Sequence, residues 1–357
     1  MQSYRVAVLG AGSWGSALAM VLNDNQHQVR LWTVDADQAE EIRQTRINAA
    51  YLPDLHLAED ILVTTDLSEA LKQADMVCFV VPTKAIRSVS QQVKEVLASD
   101  QASGADKPPL ILHASKGLEQ GSHLRISQII EEVLEDCDYR GIVALSGPSH
   151  AEEVAVRHIT TITAASRDLE AAKEVQAVFL NRYFRVYTNT DCIGVELGGA
   201  LKNIIAVAAG GVDGLNYGDN TKAALITRGL AEITRLGLAM GADPLTFSGL
   251  SGVGDLIVTC NSVHSRNWRA GNQIAQGASP EEVEAKMGMV VEGIPTTKAA
   301  YELAADLGVD MPITNALYAI LYEGMPVEEA LTQLMMREGK EEAQLRSALI
   351  DYLAKRT

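Results

Sequence analysis

The stretch Gly10-Ala-Gly12-Ser-Trp-Gly15 constrains this chain more than any other. It stands directly after an apolar, β-branched run, YRVAVL, and directly before a helical pattern, WGSALAMVLND. Glycines in a strand-to-helix turn have separable roles. The first permits the tight turn, the second lets the backbone approach a diphosphate, and the third lets the helix lie close on the strand. A diphosphate in that position rests on the positive end of the helix. The letters alone do not specify a ligand, since a glycine-rich turn that binds nothing reads the same way. The context does more. HQVRLWT, DMVCFVV, PPLILHAS, GIVALSG, ITTITAA and YFRVYT alternate with segments such as AIRSVSQQVKEVLAS and SQIIEEVLED, whose apolar residues recur every three or four positions. That alternation predicts an α/β domain of the Rossmann type, a doubly wound, mainly parallel sheet with crossover helices on both faces and a dinucleotide at its glycine-rich turn.

After about residue 190 the strand signal stops. The remainder reads as helices, from VELGGALKNIIAVAAGGV to the tail EEAQLRSALIDYLAKR, several of them opening at Ser, Thr or Asp and closing at Gly. A chain of 357 residues is long for one core, because single cores stop growing near ~250–300 residues. The expected division is a dinucleotide-binding domain over 1–190 and an all-α, substrate-binding domain over 191–357. ASDQASGADKPP, residues 98–109, reads as a surface loop.

Charge and composition remove whole classes of function. With 30 Lys+Arg against 46 Asp+Glu the net charge is −16, so no nucleic-acid partner is expected. A hydrophobic share of 47 % is ordinary for a globular chain, and runs such as MVCFVV fall short of an integral membrane segment. The amino terminus has no signal-peptide pattern, and Cys78, Cys137, Cys192 and Cys260 show no C-x-x-C spacing or metal-ligand interval to histidine. A cytoplasmic protein without a structural metal is expected. A small anionic ligand then requires a few Lys or Arg gathered against the overall field, so individual cations matter.

Two acidic or basic positions have alternative readings. Asp35 lies 20 residues after Gly15, where an acidic residue holds ribose hydroxyls and favours NAD over NADP. It is equally placed to cap the following helix, VDADQAEE. Lys202 and Asn203 are the only strongly polar residues between Leu197 and Val212. A lysine in such a helix either snorkels to the surface or is buried beside a partner, with its pKa pulled below the ordinary value of about 10.4.

Several longer blocks carry a resemblance. Gly10–Gly15, Ala114-Ser-Lys116-Gly117-Leu-Glu, Ser146-Gly147-Pro148-Ser149-His-Ala151-x-Glu153, Leu197-Gly-Gly-Ala-Leu-Lys202-Asn203, Gly252-Val-Gly-Asp255-Leu, Ser265-Arg266-Asn267 and Val290-Val-Glu292-Gly293 occur in the order seen in bacterial NAD(P)-dependent glycerol-3-phosphate dehydrogenases. The match runs from residue 4 to about 330. It implies a helical second domain like the carboxy-terminal domain of 6-phosphogluconate dehydrogenase, NADP or NAD as cofactor, and a small phosphorylated substrate. The implied reaction is hydride transfer between nicotinamide and dihydroxyacetone phosphate or glycerol 3-phosphate, which feeds glycerophospholipid synthesis.

By that resemblance Lys202 is the acid/base, Asp255 orients its ammonium, Asn203 and Thr259 complete the hydrogen bonding around it, and Lys116 lies near both substrate and cofactor. Gly147 and Ser149 join the substrate set, Ala151 lies beside the cofactor, and Ser265, Arg266 and Asn267 offer a phosphate clamp. Gly10, Gly12, Ser13, Trp14, Gly15, Val34, Arg266, Val290 and Glu292 are the implied cofactor contacts. Without the resemblance, Asp255 reads as a helix cap, Lys116 as a solvated loop lysine, Arg266 as a surface arginine and Trp14 as core packing. Three departures stand out. Val34 replaces the basic or polar residue common in NADPH-preferring members, 98–109 is longer than usual, and His150 stands where many have Phe. A hydroxyacid or 6-phosphogluconate-type dehydrogenase shares the Lys-Asn pair but lacks the Ser265–Asn267 and Gly252–Asp255 blocks, and a non-catalytic nucleotide sensor would not need Lys202. No helix carries a sustained heptad, so the sequence leaves a homodimer open.

Overall fold

Val6, Ala7, Val8 and Leu9 are all buried, on both faces of their strand, as the centre of a parallel sheet covered by helices requires. A computed structural model describes residues 3–102, 107–339, 341–342 and 350. Its strands are β1 (Arg5–Leu9), β2 (Gln28–Trp32), β3 (Ile47–Asn48), β4 (Leu52–His56), β5 (Leu62–Thr64), β6 (Met76–Phe79), β7 (Leu110–His113), β8 (Ile142–Ser146), β9 (Thr160–Ala165) and β10 (Phe184–Asn189). Eight form one sheet in the order β10-β9-β8-β7-β6-β1-β2-β5, parallel except where β9 runs against β8. The chain winds outward from β1 through β2 to β5, then returns to the other side of β1 as β6. The switch point therefore lies between β1 and β6, and ligands of such sheets bind outside the carboxyl ends of the strands there.

The chain separates into two units: residues 1–115 with 126–192, and residues 116–125 with 193–357. The short insert 116–125 thus belongs to the helical unit, although residues of the sheet unit precede and follow it in sequence. In the second unit the helix Cys192–Gly214 is central, with Leu197, Ala200, Leu201, Ile204 and Ala206 fully buried among neighbouring helices. Among the described residues it is the one helix long and apolar enough to cross a membrane, and 83 % of its apolar window is buried inside the fold. Among the described residues after Asn189 there is no strand. Helix ends follow the expected chemistry: Ser279 and Glu282 form a capping box, and Gly288 closes the same helix in the left-handed region.

Three departures from the sequence reading have physical causes. Residues 98–102 continue the helix Ile86–Ala102 instead of opening a loop, and 103–106 lie outside the described residues, as does most of the predicted carboxy-terminal helix. The strands β3, β4 and β5 escaped notice because β3 and β5 are two and three residues long and β4 has three exposed positions, Pro53 among them. The strand pairing β8–β9 is antiparallel, which a periodic pattern does not report.

Candidate active site

In the first unit, Gly10 sits at φ +119°, and a Cβ there would stand 2.6 Å from the Val80 carbonyl oxygen that follows β6. A Cβ on Gly15 would stand 1.8 Å from the Gly10 carbonyl oxygen, so the third glycine clears the turn itself. At Gly12 a Cβ would meet nothing within 4 Å, which leaves open space beside the turn. The helix Ser13–Asp24 starts there with no side-chain cap, so its first N–H groups are not claimed by a capping oxygen. The residues present therefore fit a dinucleotide diphosphate: backbone donors, a clear approach and no competing cap.

Residues that the sequence reading did not single out hold this turn. Gln38 Nε2 and Asn48 Nδ2 both donate to the Ala11 carbonyl, at 2.7 and 2.8 Å, and Asn48 also donates to Ser16 Oγ at 2.9 Å. Asn48 lies in β3, which explains why this short strand is worth forming. Ser13 Oγ donates to the Tyr51 carbonyl, and Trp14 packs half-buried against the first core. Asp35 takes the capping role, its carboxylate accepting from the backbone N–H groups of Asp37 and Gln38. Val34 beside it is 76 % exposed. Gly147 is at φ +147° and its carbonyl accepts from Ser149 Oγ, while Ala151 is buried in the first core at the start of its helix.

The second unit gathers the predicted catalytic residues. Lys202 lies on the helix Cys192–Gly214 and is only 7 % exposed, so it does not snorkel. Its Nζ donates to Asp255 Oδ1 and, at 2.8 Å, to Thr259 Oγ1. Lys116 Nζ donates to the other carboxylate oxygen of Asp255 at 2.7 Å. Asp255 occupies the first turn of the helix Asp255–Asn261 but makes no capping bond, so its carboxylate serves two ammonium groups instead. Gly198 makes this possible, because a Cβ there would stand 2.3 Å from the Ser251 carbonyl oxygen and push away the turn that leads to Asp255.

Burial dominates the electrostatics. It pulls the Lys202 pKa down to about 8; Asp255 opposes this, and the neighbouring Lys116 ammonium adds to it. Burial alone would raise the Asp255 carboxyl, but Lys116 and Lys202 reverse the effect and hold it below its ordinary value. Two cations share one anion, so the group carries one net positive charge in a chain of net charge −16.

Asn203 does not complete the bonding around Lys202. Its Oδ1 accepts from Asn267 Nδ2 at 2.9 Å, and Asn267 Oδ1 accepts from the Gly293 N–H at 2.8 Å. Ser265 caps the helix Arg266–Ala275 by accepting from the Trp268 N–H, while Arg266 is exposed and donates to the Val290 carbonyl at 3.2 Å. Glu292 opens the helix that begins at Gly293. The second unit thus brings Lys116, Lys202, Asp255 and Thr259 into one bonded group and, in separate bonds, links Asn203 through Asn267 to Gly293 and Arg266 to Val290.

Comparison with known families decides the affiliation. Residues 5–172 match the model of the NAD-dependent glycerol-3-phosphate dehydrogenase N-terminus, and residues 191–332 match that of its C-terminus. The chain belongs to the NAD-dependent glycerol-3-phosphate dehydrogenase family. It is 58 % identical over 339 residues to the glycerol-3-phosphate dehydrogenase [NAD(P)+] of Lacticaseibacillus casei, covering 95 % of this chain and 96 % of that protein. It is 59 % identical over 338 residues to the enzyme of the same name from Enterococcus faecalis, covering 95 % and 97 %. The crystal structure of glycerol-3-phosphate dehydrogenase from Coxiella burnetii superposes with a TM-score of 0.87 at 36 % identity, covering 94 % of this chain and 99 % of that one. This family member has the fold its sequence predicts, a Rossmann-type sheet and a helical carboxy-terminal unit.

Proposed function

We propose that this dehydrogenase interconverts dihydroxyacetone phosphate and sn-glycerol 3-phosphate with NADP or NAD, and that Lys202 moves the proton. The observation that carries the reading is the buried Lys202 ammonium, held by Asp255 and Thr259, with a pKa of about 8. A general acid works best when its pKa lies near the operating pH. When bound, the nicotinamide supplies or accepts the hydride. Lys202 gives its proton to the C2 oxygen during ketone reduction and takes it back in the reverse direction. Asp255 keeps the ammonium in place, and Lys116 adds positive charge toward a phosphorylated substrate. The proposed substrate and phosphate residues are Asn203, Ser265, Arg266 and Asn267 in the second unit and Gly147 and Ser149 in the first. The proposed cofactor residues are Gly10, Gly12, Ser13, Trp14, Gly15, Val34 and Ala151 in the first unit and Lys116, Arg266, Val290 and Glu292 in the second.

Initial rates of dihydroxyacetone phosphate reduction with NADPH and NADH, at matched low concentrations, test the reaction. Turnover with either supports it. The ratio reports whether an exposed Val34 and a helix-capping Asp35 leave the adenosine 2′ position unread. No turnover with either, in folded protein that binds nucleotide, overturns the substrate assignment in favour of a hydroxyacid.

The glycine turn has its own test. Gly12→Val meets open space, so thermal melting is expected to stay near that of the parent, while dinucleotide affinity measured by fluorescence titration falls by roughly tenfold or more, about 1.4 kcal/mol. Gly15→Ala drives a Cβ into the Gly10 carbonyl and is expected to lower both melting temperature and affinity. Unchanged affinity in Gly12→Val removes the diphosphate from this turn.

A further inference from the structure

Lys116 reaches Asp255 from the short insert 116–125, and that insert is tied down at several points. Leu118 and Arg125 form an antiparallel bridge, and the Glu119 N–H donates to the Leu124 carbonyl at 3.0 Å, so the insert closes on itself as a tight hairpin. Gly121 and His123 turn its tip, at φ +80° and +57°. Leu118 enters the second core, Gln120 Nε2 donates to the Pro295 carbonyl, and His123 Nε2 pairs with Glu302 at 2.9 Å. At the closing end, the Arg125 guanidinium donates to Glu196, and both side chains are only 4 % exposed. Glu196 stands six residues before Lys202 on the same helix, a rise of about 9 Å along a rigid axis.

We propose that the buried Arg125–Glu196 pair consists of positioning residues, which fix the 116–125 hairpin against the Lys202 helix and thereby set where the Lys116 ammonium stands relative to Asp255 and Lys202. A buried ion pair is a poor source of net stability, because desolvation offsets most of the attraction. Its distinct contribution is register. Apolar contacts such as that of Leu118 tolerate sliding, whereas a buried guanidinium donating to a carboxylate is constrained in direction as well as distance. The Gln120 contact is solvent-exposed and the His123–Glu302 contact only partly buried, so each is individually weaker. Because the hairpin is closed by the Leu118–Arg125 bridge, fixing Arg125 fixes Lys116 at the other end.

The positioning has a chemical consequence. The Lys116 ammonium competes with Lys202 for Asp255 and disfavours a second positive charge beside it. Loosening Arg125–Glu196 lets Lys116 withdraw, so Lys202 holds its proton to higher pH while the substrate loses a well-placed cation.

The inference rests on Lys202 as the acid. That assignment fails by itself if Lys202→Ala keeps its turnover; the experiment below addresses positioning when Lys202→Ala is inactive. Rates of dihydroxyacetone phosphate reduction are measured from pH 6 to 10 for Arg125→Met, Arg125→Lys and Lys116→Ala, and for Lys116→Ala combined with Arg125→Met. Arg125→Met is expected to lose roughly 10- to 100-fold in kcat, since misplacement by about 1 Å costs that much. Its basic limb moves to higher pH, and Arg125→Lys recovers part of the loss. In the Lys116→Ala background the same change costs less than about threefold, because the group through which it acts is gone. If Arg125→Met does not fold, the isosteric Glu196→Gln is read in the same way. Losses that multiply across the two backgrounds, an unmoved basic limb, or no loss at all overturn the proposal and leave the pair a structural contact.

Discussion

Lys202→Ala is expected to cut turnover by roughly 10²–10⁴-fold, the range that a positioned proton donor contributes, while dinucleotide affinity stays unchanged. The fold should survive the change, because Asp255 keeps the Lys116 ammonium at 2.7 Å and is not left as an unpaired buried charge. Parent enzyme should also lose reductive activity as the pH rises through about 8, where the Lys202 ammonium gives up its proton. Stability follows the same group with a definite sign. The folded pKa lies below the ordinary lysine value of 10.5, so between about 8 and that value the unfolded chain binds up to one proton more than the folded chain. Folded stability therefore gains from this site as the pH rises across that interval, and the gain disappears in Lys202→Ala. Stopped-flow rates, nucleotide titration and denaturant unfolding at pH 7 and 10 check the three parts. A variant that keeps its turnover removes Lys202 from the proton step.

The sequence spelled out the sheet because both faces of β1, β6 and β7 are buried, and full burial leaves uninterrupted apolar runs. The glycine turn was legible for a similar reason, since each glycine answers a steric demand. Side-chain partners across long separations were not. Asp255 stands where a helix cap would stand, and only the fold, by bringing residues 116 and 202 to it, shows its carboxylate occupied by two lysines. Lys202 on its own helix was ambiguous between surface and interior, and the resemblance alone favoured the interior. Asn203 was assigned to the lysine beside it in sequence, yet successive residues on a helix point in different directions, and its partner is Asn267. Glu196 lay one residue outside the apolar window drawn around Lys202. A second ionisable residue six positions from the first in so apolar a helix was the available signal for the Arg125 pair. Asn48 and Gln38 gave no signal, because polar residues near a turn are common and only geometry shows which carbonyl they hold.

Asp255→Asn should be more destructive to the fold than loss of either lysine. The carboxylate is wholly buried and balances two ammonium groups, so a neutral amide leaves the buried Lys202 charge facing the partly exposed Lys116 charge with no anion between them. Breaking a buried pair by removing one partner costs about 3–5 kcal/mol. The lysines can relieve the strain only by releasing a proton, so Lys202 should deprotonate at lower pH than in the parent, and reduction at neutral pH should fall by on the order of 10²-fold. The acid side distinguishes this electrostatic role from simple packing. The folded-state pKa of Asp255 lies below its ordinary value of 3.8, so its contribution to stability is present above that value and is lost as the pH falls through the folded pKa. The difference in unfolding free energy between parent and Asp255→Asn should accordingly be largest near pH 7 and shrink in strong acid, where the parent carboxyl is protonated as well. Denaturant unfolding of both proteins at a series of pH values measures that difference. A gap of the same size at every pH would assign Asp255 to shape and hydrogen bonding alone, and would leave the two ammonium groups without the anion that holds them in one site.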